Sequence, residues 1–260
     1  MRRELSVLSL AALVVAAGPV LLANEPAPET PEFRERAVTA FHADTAAIRE
    51  FSFSRKVIRR TLDRNGGEKS LEVLNSRVTP KEVGFDELLT DIDGRVPSEA
   101  EVRRHREAAI FSKHHRQLTA GRVEMGLVAD LELSVLLNTY NYEYAGEAVM
   151  HGAPCFRFLV KPFSPPEGAS RTERVAAASH GSFWFTREGQ HLARMEVRLA
   201  SPLKMIGVTL KTLDLTLDRQ QLDGVWLTTR AEVRSEFKLG VTIRKHNTWM
   251  YSDFERFRRD

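Results

Sequence analysis

Leu213-Asp-Leu-Thr-Leu-Asp-Arg-Gln-Gln-Leu-Asp-Gly-Val-Trp-Leu-Thr-Thr-Arg-Ala-Glu-Val-Arg-Ser-Glu-Phe-Lys-Leu-Gly240 is the stretch whose reading decides the fold. Leu213, Leu215 and Leu217 alternate with Asp214 and Asp218, and Ala231, Val233, Phe237 and Leu239 alternate with Glu232, Arg234, Glu236 and Lys238. Side chains of a strand alternate between two faces, so this period marks two strands, each with one dry and one wet face. Asp223-Gly224 between them accepts the backbone of a tight turn, and Gly240 punctuates the far end.

Working outward, the same grammar covers Tyr140 to Phe257. Tyr140, Tyr142 and Tyr144 alternate with Asn141 and Glu143, and Phe156, Phe158 and Val160 alternate with Arg157 and Lys161. Phe183 and Phe185 flank Trp184, while Met195, Val197 and Leu199 alternate with Glu196 and Arg198. Val208 and Leu210 are out of phase with Leu213, which predicts a bulge near Thr212. Lys161 to Gly181, rich in Pro, Gly and Ser, reads as one long irregular loop, either a binding lid or disordered.

Upstream, Phe33–Arg49 is helix-compatible, with Phe41, Thr45 and Ile48 on one side. Phe51, Phe53 and Val57 then fall on one strand parity, Asn65-Gly66-Gly67 is a turn, and Leu71, Val73 and Val78 belong to a second strand. Gly84–Ile92 reads as a third, closed by Asp93-Gly94. Ser98-Glu-Ala-Glu101 fits a reciprocal cap and starts a helix from Glu99 to Leu118. From Val123 to Leu137 the pattern supports either a helix (Val128, Leu131, Val135) or a strand (Leu131, Leu133, Val135, Leu137).

At 260 residues with 42% hydrophobic and 28% charged content, one globular domain is expected. Thirty-eight basic residues face 35 acidic ones. The clusters Arg55-Lys56, Arg59-Arg60 and Arg256-Phe-Arg-Arg259 read as a mixed solvated surface, not as a nucleic-acid stripe. Weak, transient contact with an anionic membrane surface is compatible with that charge. Arg2 and Arg3 before the apolar run Leu5–Leu22 read as a secretory signal, cleaved after Ala23. An uncleaved membrane anchor is the alternative, and no cysteine follows the run to take a lipid. Residues 24–32 then form a Pro-rich linker and 33–260 a single domain, exported to the periplasm.

The chain lacks a phosphate-cradling glycine loop, a His-Glu-x-x-His and a serine nucleophile elbow. His114 and His115, adjacent on a helix, point about 100° apart and are poor joint metal ligands. Asp91-Ile-Asp-Gly94 is a turn and not a calcium loop, since the spaced glutamate is missing. Cys155, the single cysteine, reads as a small packed residue. Glu143 and Glu147 read as wet-face carboxylates. No catalytic residue, metal site or cofactor is expected, and the protein is expected not to be an enzyme.

Tyr144-Ala-Gly-Glu-Ala-Val-Met-His-Gly-Ala-Pro-Cys-Phe-Arg-Phe-Leu-Val-Lys-Pro162 resembles the outer-membrane lipoprotein carrier family in its order of strand, glycine turn, aromatic strand and proline. Gly181–Val197 resembles that family's next hairpin, Asp223–Leu227 a later one, and Tyr251–Phe257 the carboxyl ends of uncharacterised exported relatives. The resemblance implies an α+β fold: a strongly curved antiparallel sheet, an unclosed barrel, covered on its concave side by helices. It also implies acyl-chain binding in the concavity. The charged segment Pro97–Gly121 departs from the pattern, so no individual functional residue is carried over.

Two functions follow as expectations. The first is a periplasmic binding or carrier protein for lipid or lipoprotein acyl chains. Its cavity would be lined by Phe156, Phe158, Phe183, Phe185, Met195, Val197, Leu199, Leu213, Leu215 and Phe237. The second is an envelope module that binds a protein partner around a filled core.

Overall fold

The computed structural model describes residues 31–82, 84–111, 122–124, 130–205 and 207–257. Helix α1 (Pro31–Ala47) and a single 3₁₀ turn (Ile48–Glu50) lead into the meander β1 (Phe51–Leu62), β2 (Glu68–Pro80) and β3 (Phe85–Ile92). Helix α2 (Glu99–Phe111), the short pair β4 (Arg122–Glu124) and β5 (Asp130–Glu132), and helix α3 (Leu133–Thr139) follow. Then come β6 (Tyr142–Met150), β7 (Ala153–Val160), helix α4 (Arg171–Ala177), β8 (Ser179–Thr186) and β9 (Leu192–Leu199). The small β10 (Leu203–Met205) precedes three long strands, β11 (Val208–Leu222), β12 (Val225–Leu239) and β13 (Val241–Arg256).

Eleven strands form one antiparallel sheet in the order β3-β2-β1-β13-β12-β11-β9-β8-β7-β6, with β10 on β11. The ends, β3 and β6, do not pair, so the curved sheet is an unclosed barrel with α1 on its inner face. The alternation in β11 and β12 holds as far as Phe237: Leu213, Leu215, Leu217, Ala231, Val233 and Phe237 are buried, but Leu239, at the end of β12, is exposed. The two-residue turns His151-Gly152 and Asp223-Gly224 have positive φ at both positions (50° and 82°; 49° and 82°), the hairpin geometry that matches strand twist. The expected bulge lies at the register shift between Leu210 and Thr212.

Gly181 sits where β8 crosses β9 so closely that a Cβ would lie 2.0 Å from the Glu196 carbonyl oxygen. Only glycine allows that approach. In α1 the buried residues Phe33, Ala37, Phe41 and Asp44 recur at helical spacing. The sequence reading found Phe41 but not Phe33 or Ala37.

Several expectations need correction or completion. Lys161–Gly181 is not one irregular loop: Ser170 and Glu173 form a reciprocal cap that starts α4, whose Val175, Ala176 and Ala177 are buried. The sequence Ser-x-x-Glu carried that signal. The ambiguous stretch Val123–Leu137 matches neither alternative in full: Asp130–Glu132 is strand β5 and Leu133–Thr139 is helix α3. The strand alternation therefore stops at Glu132 and the helix starts later than expected, while residues 125–129 lie outside those described. The cap at Ser98 is present, with Glu101 Oε2 accepting from the Ser98 amide at 2.9 Å. Arg55 is not a surface charge, being only 3% exposed on the inner face. The secretory signal, the linker up to Thr30, His114 and His115 lie outside the described residues.

Candidate functional site

Strand register builds the inner face row by row. Tyr144, Phe158, Phe183, Met195, Leu217, Ala231, Trp249, Val57, Leu74 and Ile92 stand directly opposite one another from β6 round to β3. This unbroken apolar belt crosses every strand on the main path of the sheet. Such continuity requires the same face of each strand to be apolar at a matched position.

Every residue expected to line a cavity lies on this face, buried except for half-buried Leu199. They divide into two regions. In the β6–β8 region aromatic rings dominate, and α1 inserts Phe33 among them: its ring lies 5.0 Å from Phe158, 5.5 Å from Phe185 and 6.3 Å from Phe156. Tyr142 adds edge contacts to Phe158, Phe183 and Phe185. In the β11–β13 and β1–β3 region the inner face is mainly aliphatic, with Leu213, Leu215, Val233, Val57 and Leu74 joined by Phe237 and Trp249.

Two buried ionic clusters interrupt the apolar face. Arg55 on β1 pairs with Glu87 on β3, while Ser76 on the intervening β2 donates its hydroxyl to Glu87 at 2.6 Å. His105 of α2 places Nε2 at 3.3 Å from the same carboxylate oxygen, so α2 sits over the pair. Burial pushes the Glu87 carboxyl up, but His105, Arg55 and Ser76 outweigh it and bring it down to about 2.

The second cluster pins the carboxyl-terminal half of α1. Asp44 accepts from His191 Nδ1 at 2.8 Å and from the Trp226 amide at 3.3 Å, and Arg219 Nη1 lies 3.5 Å away. Arg219 also donates to the Leu192 and Trp226 carbonyls and lies over the Phe41 ring, 5.0 Å from its centroid. Burial pushes the Arg219 guanidinium down to about 10, with Asp44 pulling the other way. A salt-bridged carboxylate, a buried guanidinium and a stacked imidazole fasten a helix.

The outer face is a charge ladder. A groove of 390 Å³ between β9, β11 and β12 is lined by Arg194, Arg198, Asp214, Asp218, Glu232 and Arg234 among others. Its charges satisfy each other, as in Arg194–Asp218 at 2.8 Å and Arg234–Glu232 at 2.8 Å. Cys155 is packed on this side with Trp184, Ala193 and Trp226, and burial pushes its thiol up to about 11. Glu143 pairs with Lys161, and Glu147 lies 3.6 Å from Arg187. Asp91 Oδ1 accepts from the Gly94 amide and from Asn75, both at 3.0 Å, as a turn carboxylate does. Among the described residues no group of three or more His, Cys, Asp or Glu converges as metal ligands. No described helix is long and apolar enough to cross a membrane.

The sequence reading missed Arg55, Glu87, Asp44 and Arg219. For the first two a signal existed: Arg55 shares parity with Phe53 and Val57, and Glu87 with Phe85 and Leu89.

No family model matches the chain, and no curated protein matches it. Among solved structures it is similar to a putative outer membrane lipoprotein-sorting protein domain from Vibrio parahaemolyticus, at 12% identity over 85% of this chain and 92% of that one, TM-score 0.35. It is also similar to a DUF1329 family protein from Desulfovibrio piger, at 15% identity over 88% and 93%, TM-score 0.37. A third likeness is to the MucA/MucB complex structure from Pseudomonas aeruginosa, at 10% identity over 85% and 94%, TM-score 0.25.

Proposed function

We propose that this protein is a periplasmic binding or carrier protein that holds lipid or lipoprotein acyl chains against the inner face of its sheet. The belt from Tyr144 to Ile92 carries this reading. Beyond the part that Phe33 fills, the row continues through Leu217, Ala231, Trp249, Val57 and Leu74 and offers a hydrocarbon chain apolar contact, at roughly 0.8 kcal/mol per buried methylene. Ten methylenes then give a gross contribution of about 8 kcal/mol, before the costs of association. We assign the chain to the aliphatic region between β11 and β3, because Phe33 fills the aromatic one. Leu213, Leu215, Val233 and Val57 are already buried there, so entry of a chain requires their covering to move aside.

The test is native mass spectrometry and lipid extraction of protein purified without detergent. A long-chain amphiphile released on denaturation is the expected result. Protein that is repeatedly empty, and takes up no added amphiphile, would overturn the reading.

The seating of Phe33 favours a second reading, a partner-binding envelope module whose interior is merely core. Crosslinking in envelope extracts that captures a protein, from a chain that never carries lipid, would select it.

A further inference from the structure

We infer that the inner face also carries a binding site for the anionic head group of a single-chain amphiphile, built on Lys245. This inference rests on the acyl-chain reading above and adds the chemistry of the head.

Two rows from the belt, toward the β12–β13 turn, Ser235 on β12, Lys245 on β13 and Thr61 on β1 stand directly opposite one another. Residues paired in this way keep their Cβ atoms about 4.5–5.5 Å apart. The row between them and the belt holds Val233, Asn247 and Arg59. The β12–β13 register runs without a shift, so Lys245 shares its face with Asn247 and buried Trp249. Its chain neighbours Arg244 and His246 face the other side, paired with Glu236 and Glu232.

Ser235 and Asn247 are only 5% and 7% exposed. Among the described residues the side chains of Ser235, half-buried Lys245 and Asn247 make no hydrogen bond or ion pair with one another or with another described side chain. Neither Ser235 nor Asn247 is among the buried polar atoms left without a partner, so their polar atoms keep access to solvent or a ligand. The acidic groups at this end are committed elsewhere: Glu72 to Arg59 at 2.8 Å, and Asp63 to the amides of Asn65 and Gly67. An uncompensated ammonium, a primary amide and two hydroxyls therefore flank the apolar surface of Val233 and Trp249. That set donates to a carboxylate or phosphate, and its charge distinguishes an anionic head from a neutral one. The tail of the same molecule then runs onto the belt.

Isothermal titration of the full chain with myristate, tetradecyl phosphate, uncharged monomyristin and inorganic phosphate tests this. The two anionic amphiphiles are expected to bind about tenfold or more tighter than monomyristin, the difference one charge-assisted hydrogen bond makes. Lys245→Met should erase that preference, the loss of affinity falling on the two anionic amphiphiles, and Lys245→Arg should retain it. Equal affinity for charged and uncharged amphiphiles in the native protein would overturn the head-group site while the acyl-chain reading stands. Binding of inorganic phosphate as tight as that of tetradecyl phosphate would reassign the site to a free anion. No binding of any amphiphile would overturn both.

Discussion

Arg55 and Glu87 reach across an intervening strand to pair on the inner face, one on β1 and the other on β3, with Ser76 of β2 beneath the contact. The pair is buried on both sides, so its charges have lost water and depend on each other. Breaking such a pair costs more than making it contributes. Arg55→Met should destabilise the fold by about 3–5 kcal/mol in chemical denaturation. The double variant Arg55→Met with Glu87→Leu should recover most of that loss.

The same carboxylate fixes an acid dependence. Its folded pKa, about 2, lies below its ordinary 4.5, so the unfolded chain binds the proton more readily. Its stabilising contribution is therefore full above about pH 4.5 and is lost as pH falls toward 2. Denaturation midpoints measured across that window should fall for the native chain, and fall less for Glu87→Gln.

Asp44 is the counter-charge of buried Arg219 and the acceptor for His191. Asp44→Ala leaves the guanidinium unpaired inside the protein, at a cost of about 3–5 kcal/mol. Hydrogen exchange should show lost protection concentrated in α1, because the cluster fastens that helix to β9, β11 and β12. Uniform loss across the sheet would speak against that assignment.

Phe33→Ala should cost about 3–5 kcal/mol by opening a void between Phe156, Phe158 and Phe185. If the inner face accepts hydrocarbon, the variant should also gain affinity for a chain that fills the space. Chemical denaturation measures the first effect and titration calorimetry with a long-chain amphiphile the second.

Cys155 should resist thiol reagents while the protein is folded. It is fully buried and its thiol is pushed up to about 11, which suppresses the thiolate at neutral pH. Labelling with a disulfide chromogen should be negligible in buffer and rapid in denaturant. Quick labelling in buffer would show that the outer cluster around Trp184 opens.

Strand faces were legible in the sequence because period-two alternation is a local signal. Leu213–Leu217 and Ala231–Phe237 therefore went where their parity sent them. The lining set shares one face for the same reason. Arg55, Glu87 and Asp44 were not legible as pairs, since partners 32 residues apart for Arg55–Glu87 and 147 apart for Asp44–His191 meet only through the fold. Phe33 escaped notice because it lies almost at the start of α1, beyond the window that revealed Phe41. Helix α4 had an explicit Ser170–Glu173 signature, hidden by the prolines and glycine just before it.

The pairing of β1 with β13 has a temporal consequence. It joins the β1–β3 meander to the β6–β13 meander, and the two partners lie at opposite ends of the sequence. A growing or emerging polypeptide can build each meander from local hairpins, yet it cannot weld them until its final strand is free. Contacts of such long separation make assembly slow, and until β1 and β13 meet each meander keeps one further unpaired edge.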